Sequence, residues 1–333
     1  MIPQPLPIPD LIGTLTDMIH LIPRGKVTTF GALARSLGDV TAARWVATYL
    51  KANAETEGLA WHRVVRADGG IWPEELGNEQ RRRLRGEGVP CGEAGVELES
   101  AAVHHPSERN LLEELQRIQI ELAARRKLRG VESPPSLVGG VDVSYRGDRG
   151  FAAYTLYDRN AENGTIVWHQ VCETRVTFPY VTGYLAFREL PVLWPVLQAA
   201  EAAGKLAPVI LVDGNGQLHP RRAGIATLLG VLLGRPTVGI GKKLICGTLT
   251  GEPTARQACS GTTLQSCDIE EQGERLGMSL WEAERHKPLY VSPGHRIDVA
   301  MSTEVVLSTL DGHRLPEPLY WADRLSREAA KRA

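Results

Sequence analysis

The stretch APVILVDG, residues 207–214, constrains this chain more than any other. A short apolar run ending in Asp-Gly is the pattern of a buried strand. Helical stretches flank it. GYLAFRELPVLWPVLQAAEAAG precedes it, with Pro191 and Pro195 interrupting or kinking the helix, and HPRRAGIATLLGVLLG follows. RPTVGIG then reads as a further strand, and SLVGGVDVSY, GFAAYTLYD and TIVWHQVCETRV upstream read as three more. Three strands followed by alternating helix and strand predict an α/β layer fold with a mixed central sheet.

The front of the chain follows a different pattern, and 333 residues are enough for two domains. Residues 86–107 are rich in Gly, Glu and small side chains and lack helical periodicity, which marks a linker. The expected division is a small, mainly helical domain over 1–92, a linker over 93–106 and the α/β domain over 107–333. The α/β domain would open on a long helix, SERNLLEELQRIQIELAARRKLRG, capped by Ser107 and stopped by Gly130.

Within the front domain, TTFGALARSLG places Phe30, Leu33, Ala34 and Leu37 on one helix face, with Thr28 or Thr29 as cap and Gly38 as stop. TAARWVATYLKAN reads as a second helix after a short turn. This pairing predicts a helix-turn-helix, but many helical pairs of this kind bind nothing, so spacing alone leaves DNA binding open.

Charge and cysteine usage narrow the classes. A net charge of -1 excludes a global basic field, so any nucleic acid must be held by local patches. Such patches exist at RRRLR (81–85), RRKLR (125–129), Arg221–Arg222 and Lys242–Lys243, although runs of this kind are commonly solvated faces. Five cysteines at irregular spacing do not suggest a disulfide framework and fit a reducing cytoplasm. Cys259 and Cys267 lack the spacing of a metal site. No run approaches the roughly 18 apolar residues of a membrane span, and MIPQPLPIPDLIG lacks a basic leader. The expectation is a cytoplasmic protein with no membrane partner and no obligate protein partner.

Three acids carry the chemistry of the second domain. Asp142 lies inside the apolar strand LVGGVDVSY, where a carboxylate is costly unless paired or metal-bound. Asp213 ends VILVDG, and Glu189 lies on the helix between them. Hard oxygen ligands from two strands and a helix suit Mg²⁺, with Mn²⁺ as a substitute. An Asp before Gly is equally a common turn residue, so spacing alone leaves both readings open.

Longer strings decide between them. In order, IPRGKVTTFGALARSLG, AARWV, WHRVV and NEQRRRLRGEGV resemble the DNA-binding domain of O6-alkylguanine-DNA alkyltransferases. That family has Pro-Cys before His-Arg-Val, whereas this chain has Ala60 and Trp61 before His62. No thiol stands there to accept an alkyl group, so the resemblance is to the alkyltransferase-like proteins, and no alkyltransferase activity is expected. The resemblance implies that Arg44 enters the duplex and fills the gap left by a flipped nucleotide. Trp61 would line the pocket for an extruded O6-alkylguanine, followed by Arg63 as in the motif. Phe30 stands where the family usually has tyrosine, whose hydroxyl meets a phosphate.

GGVDVSY, FPYVTGYLAFRE, LVDGNGQLHPRRAGIATLLGVLLGRPTVGIGKK, VSPGHRIDV and RLPEPLYWADRL, also in order, resemble endonuclease V, a deoxyinosine-specific repair nuclease with a ribonuclease H-like fold. The resemblance makes Asp142, Glu189 and Asp213 the metal ligands, His295 a histidine near the metal and Lys242 an electrostatic stabiliser of the reacting phosphate. His219 would contact phosphate and Tyr180 would wedge the bases apart. Gly183, Leu185, Gly214 and Ile225 would line the pocket for flipped hypoxanthine. The wedge has Thr182 where the family has a second proline, the loop after Asp213 reads Gly-Asn-Gly, and Lys243 replaces a serine.

Together the resemblances imply a Mg²⁺-dependent endonuclease that nicks double- or single-stranded DNA at the second phosphodiester 3′ to deoxyinosine. A non-catalytic front domain would grip DNA and read O6-alkylguanine. Two alternatives are a ribonuclease acting on inosine-containing RNA and a DNA-damage sensor that does not cleave.

Overall fold

The computed structural model describes residues 6–161, 164–282 and 287–333; positions 1–5 of the N-terminal run lie outside it. The chain separates into two compact units. One spans Ile8–Arg117 and also takes in residues 177–184; the other holds residues 118–176 and 185–333.

The smaller unit is mainly helical. It contains α1 (Leu11–His20), the short strand β1 (Thr28–Thr29), α2 (Phe30–Ser36), a 3-10 turn (Val40–Ala42) and α3 (Ala43–Ala52). A second 3-10 turn (Trp61–Arg63) leads into β2 (Val64–Val65), which pairs with β1 in parallel, and α4 (Glu74–Gly86) follows. The Thr29 hydroxyl caps α2 by accepting the Ala32 amide, which fixes the choice between Thr28 and Thr29. Gly38 follows α2 at φ +103, in the left-handed region open to glycine.

Residues 93–106 do not run free. Val96 donates to Gly69 O, Val27 donates to Ala102 O, and His104 donates to Val27 O. The segment is thus stitched into the smaller unit by backbone pairing, which a composition-based reading of flexibility cannot register. The next helix, α5 (Leu111–Ala124), starts later and ends earlier than its sequence pattern predicts. Ser107 does not cap it, because residues 109–112 lie along the end of α2, with Arg109 and Leu112 donating to the carbonyls of Ser36 and Leu37. Asn110 takes φ +54 at the turn into the helix.

The larger unit is built on β3 (Leu137–Arg146), β4 (Arg149–Asp158), β5 (Thr165–Arg175), α6 (Leu185–Ala202), β6 (Val209–Asp213), α7 (Ile225–Leu233) and β7 (Thr237–Gly241). Then come β8 (Thr248–Gln257), β9 (Thr263–Glu271), β10 (Glu274–Trp281), β11 (Leu289–His295), α8 (Val299–Leu307) and α9 (Glu317–Arg332). Among the described residues the sheet has nine strands in the order β5-β4-β3-β6-β7-β11-β10-β9-β8. The β3–β6 and β6–β7 pairs are parallel and the others antiparallel, so the sheet is mixed as expected.

Strand β6 shows why its sequence is continuously apolar. Ile210 and Val212 pack with α6 and α7 on one face, while Val209 and Leu211 pack with α8 and α9 on the other. Both sides of each pleat are covered, so the alternation of a half-exposed strand is absent. Helix α6 runs through Pro191 and Pro195; its buried Leu190, Leu193 and Leu197 hold it against the sheet despite the missing donors. Helix α7 begins only at Ile225, because Arg222 at φ +56 and the tightly packed Gly224 occupy the turn before it.

Candidate functional site

Asp142 and Asp213 meet because of strand register. Val141 pairs with Val212 across the parallel β3–β6 ladder, so the two acids that follow lie side by side, Asp142 within β3 and Asp213 at the end of β6. Asp323 on α9 completes a group whose carboxylate oxygens lie within 4.8 Å of one another. Asp142 is 8% exposed. Burial, and then the charge of Asp213, push its carboxyl well above the usual range, opposed by the Ser326 hydroxyl. Ser326 Oγ donates to Asp142 Oδ2 at 2.6 Å and stands 2.9 Å from Ser144 Oγ. A hydroxyl has one proton, so with Ser326 donating to the acid, Ser144 is the donor to Ser326.

Glu189 on α6 lies outside the tight group of three but within its field. Burial raises its pKa first, and the charges of Asp142 and Asp213 raise it further. Lys242, just after β7, forms an ion pair with Asp213, and Arg327 pairs with Asp323 at 2.8 Å. The raised protonation of Asp142 and Glu189 marks negative charge that these partners leave unrelieved. Hard oxygen donors around such charge fit a divalent cation of the Mg²⁺ or Mn²⁺ class.

His295 is not among these groups. It ends β11, is 5% exposed, and its Nδ1 accepts the Lys127 amide at 3.2 Å. Burial lowers its pKa, with Arg296, Lys127 and Arg125 acting in the same direction. His219 is also buried, and its Nδ1 accepts the Arg221 amide at 3.2 Å. Gly214, at φ +146, has no room for a Cβ beside Ile225, the first residue of α7. The loop from Gly214 to Gln217 is hemmed in elsewhere too. A Cβ at Gly239 would overlap Gly216 N, and one at Gly224 would overlap Asn215 O. Leu185 opens α6. Gly183 sits at φ +84, and Tyr180 is 63% exposed.

In the smaller unit, Trp61 is 1% exposed and belongs to the core. The Arg83 guanidinium lies 5.6 Å from its ring centroid, and its Nε1 has no hydrogen-bond partner among the described residues. Arg63 faces inward. It holds Glu87 through Nε and Nη2 and donates Nη1 to Ile22 O at 2.7 Å. His62 Nε2 lies 2.9 Å from the same carboxylate, whose other oxygen accepts the Gly25 amide. The His-Arg pair is therefore a clamp on Glu87. Much of the RRRLR run is structural as well: Arg81 donates to Gly92 O and Glu93 O, and Arg85 to Cys91 O. Arg44 on α3 is exposed, and Phe30 stacks edge-on against Trp72 at 5.5 Å.

Sequence reading missed Asp323, Ser326 and Glu87. In YWADRL, Asp323 looks like an ordinary helix-surface partner of Arg327, four residues on. The one available signal was indirect, namely that a buried Asp142 needs partners from somewhere in the chain.

Comparison with known proteins accounts for both units. The family model described as Endonuclease V matches residues 120–324. The model described as 6-O-methylguanine DNA methyltransferase, DNA binding domain, matches residues 14–89. A bifunctional methyltransferase/endonuclease of Picrophilus torridus is 31% identical over 271 residues, covering 81% of this chain and 87% of that protein. The catalytic domain of human endonuclease V is 31% identical with a TM-score of 0.59, covering 67% of this chain and 97% of that one. Ciona intestinalis endonuclease V, solved with a 24-mer DNA containing an inosine followed by a ribo-adenosine, is 26% identical with a TM-score of 0.56, covering 66% of this chain and 98% of that one.

Proposed function

The chain belongs to the endonuclease V family and carries an alkyltransferase-like DNA-binding domain ahead of the nuclease, and on that premise we propose that it nicks DNA at the second phosphodiester 3′ to deoxyinosine. The observation that carries the reading is the convergence of Asp142, Asp213 and Asp323, with Glu189 in their field, where two buried strands run in parallel. In this reading the α/β unit is ribonuclease H-like and the front unit a winged helix-turn-helix.

These acids would hold the divalent cation, Mg²⁺ in the proposed enzyme. When bound, it supplies charge neutralisation at the phosphate and acidifies water. Ser326 fixes the Asp142 carboxylate so that a single oxygen orientation is presented. Lys242, held on Asp213, is placed to steady negative charge on the reacting phosphate. Attack of water on phosphorus breaks the P–O3′ bond and leaves a 3′-hydroxyl and a 5′-phosphate. The exposed Tyr180 would part the bases, and Leu185, Gly214 and Ile225 would read the flipped hypoxanthine.

The front domain, with the exposed Arg44, adds DNA grip and reading of O6-alkylguanine. It has no thiol in the position of an alkyl acceptor, since Trp61 stands there, so it transfers no alkyl group.

A second reading, cleavage of inosine-containing RNA, is favoured by the ribo-adenosine after the inosine in the Ciona complex. One experiment separates the readings. Matched inosine duplexes of DNA and RNA are incubated with the full chain, with and without Mg²⁺, using Asp142→Ala as control. Metal-dependent nicking of the DNA is expected; cleavage of the RNA alone would replace this reading with the second.

A further inference from the structure

Asp39 ties together two segments of the smaller unit that lie far apart in sequence. It immediately precedes the Val40–Ala42 turn that leads into α3, and its Oδ1 accepts the Thr41 amide at 2.8 Å. Its Oδ2 accepts the Tyr184 hydroxyl at 2.6 Å and Gln116 Nε2 at 2.9 Å. Gln116 Nε2 also lies 2.6 Å from Tyr184 Oη, closing a three-membered polar cluster. Tyr184 is fully buried.

The two ends of this cluster carry different side chains of interest. Arg44 follows Asp39 by five residues, on the first turn of α3. Tyr184 closes residues 177–184, the segment that joins β5 to α6 and carries the exposed Tyr180. The Tyr184 amide donates to Val181 O at 3.0 Å, and Gly183 between them takes φ +84, so the segment ends in a tight turn. Burial works to raise the Asp39 pKa, but the Tyr184 hydroxyl and the Thr41 amide outweigh it and keep the carboxylate ionised.

A hydroxyl donating to an ionised carboxylate is among the stronger hydrogen bonds, and removing it leaves a partly buried charge short of a donor. The approach to α3 and the end of the 177–184 segment therefore share one carboxylate, and neither turns without straining the other's contacts.

We propose that Asp39, Tyr184 and Gln116 form a latch through which engagement of DNA by α3 sets the posture of the segment bearing Tyr180. They are positioning residues, and the front domain thereby tunes base unstacking at the lesion. This rests on reading Arg44 and Tyr180 as DNA-contacting side chains.

The test is a double-mutant cycle on the full chain with Arg44→Ala and Tyr184→Phe, repeated with Asp39→Asn in place of Tyr184→Phe. The readout is the fluorescence of 2-aminopurine placed 3′ to inosine in a duplex, at saturating protein and without metal. Arg44→Ala is expected to lower the unstacking signal in the parent chain and to have no further effect once the latch is cut. That is a non-additivity of about threefold or more, as for residues in one network. Additive effects, or an Arg44→Ala variant that behaves like the parent, would overturn the latch. Mg²⁺-dependent nicking by the parent chain is measured alongside. A chain that shows the coupling but does not nick loses the nuclease reading and keeps the latch; one that nicks with additive effects loses only the latch.

Discussion

Ser326 Oγ donates to Asp142 Oδ2 across 2.6 Å, joining residues 184 positions apart in the chain. Asp323 lies three residues before Ser326 on α9, so one turn of the C-terminal helix delivers both an acid and the hydroxyl that orients another acid. The metal centre proposed here is therefore assembled from both ends of the larger unit.

Asp323→Asn is expected to reduce metal-dependent nicking more than Ser326→Ala. Loss of the orienting hydroxyl should weaken Mn²⁺ binding by about 10-fold to 100-fold, the range for partners outside the ligand set. His295→Ala, which removes a buried ring facing Lys127, should leave Mn²⁺ affinity unchanged. Titration with Mn²⁺ followed by electron paramagnetic resonance reads all three variants.

The metal-free protein should lose stability as pH rises. The Asp142 carboxyl, with its pKa pushed up to about 7 by burial and Asp213, holds its proton in the folded chain at pH values where the unfolded chain has released it. The folded state then binds more protons, so stability is full below the ordinary carboxylate pKa and falls as pH rises through about 7. Tm measured from about pH 5 to about pH 8 should decline, and Asp142→Asn should flatten the slope. A divalent cation should raise Tm more at the upper end, because its ligands bind deprotonated. An equal increment across the range would contradict this.

Glu87 should behave in the opposite sense. The Arg63 and His62 contacts outweigh burial and hold its carboxyl down at about 2, so its contribution is present above the ordinary carboxylate pKa and lost as pH falls toward 2. Glu87→Gln leaves Arg63 partly buried without its counter-charge, and a loss of about 3 kcal/mol is expected. Urea unfolding at neutral pH measures it, and a change near zero would show that the clamp is dispensable.

Trp61→Ala should cost about 4 kcal/mol through the cavity it leaves, while Trp61→Phe should cost much less. An indole 1% exposed in the DNA-free protein has no face open to an incoming base. If it reads O6-alkylguanine as proposed, binding must open this core, and the Trp61 fluorescence should shift on binding such DNA and not on binding unmodified duplex.

The full chain should nick beside O6-methylguanine, with Arg44→Ala abolishing that activity and lowering inosine nicking only in part. Gel analysis of both lesion duplexes decides it. Equal loss on both substrates would reduce the front domain to general DNA grip.

The layering of the α/β unit was legible because β6 is apolar at every position before Asp213, and such continuity requires cover on both faces. Asp142 announced itself for the converse reason, as a charge where the pattern demands a hydrocarbon. Asp323 did not, because an acid four residues before an arginine on a helix is ordinary, and only the fold places it among other acids. Arg63 was legible as part of a motif, but its inward contact was not. Its partner Glu87 lies 24 residues away, beyond any local spacing rule. Residues 93–106 escaped similarly, since backbone pairing to Val27 and Gly69 leaves no mark on composition.

The loop that follows Asp213 has a consequence for anyone wishing to retarget this nuclease. Its path is carved by missing atoms: Gly224 and Gly239 make way for the main chain at Asn215 and Gly216, and any larger residue at either collides with backbone. A mutational library spread evenly over this region would waste its diversity on positions that tolerate only hydrogen as a side chain. Productive variation is confined to neighbours that already carry side chains, Ile225 beside Gly214 first among them.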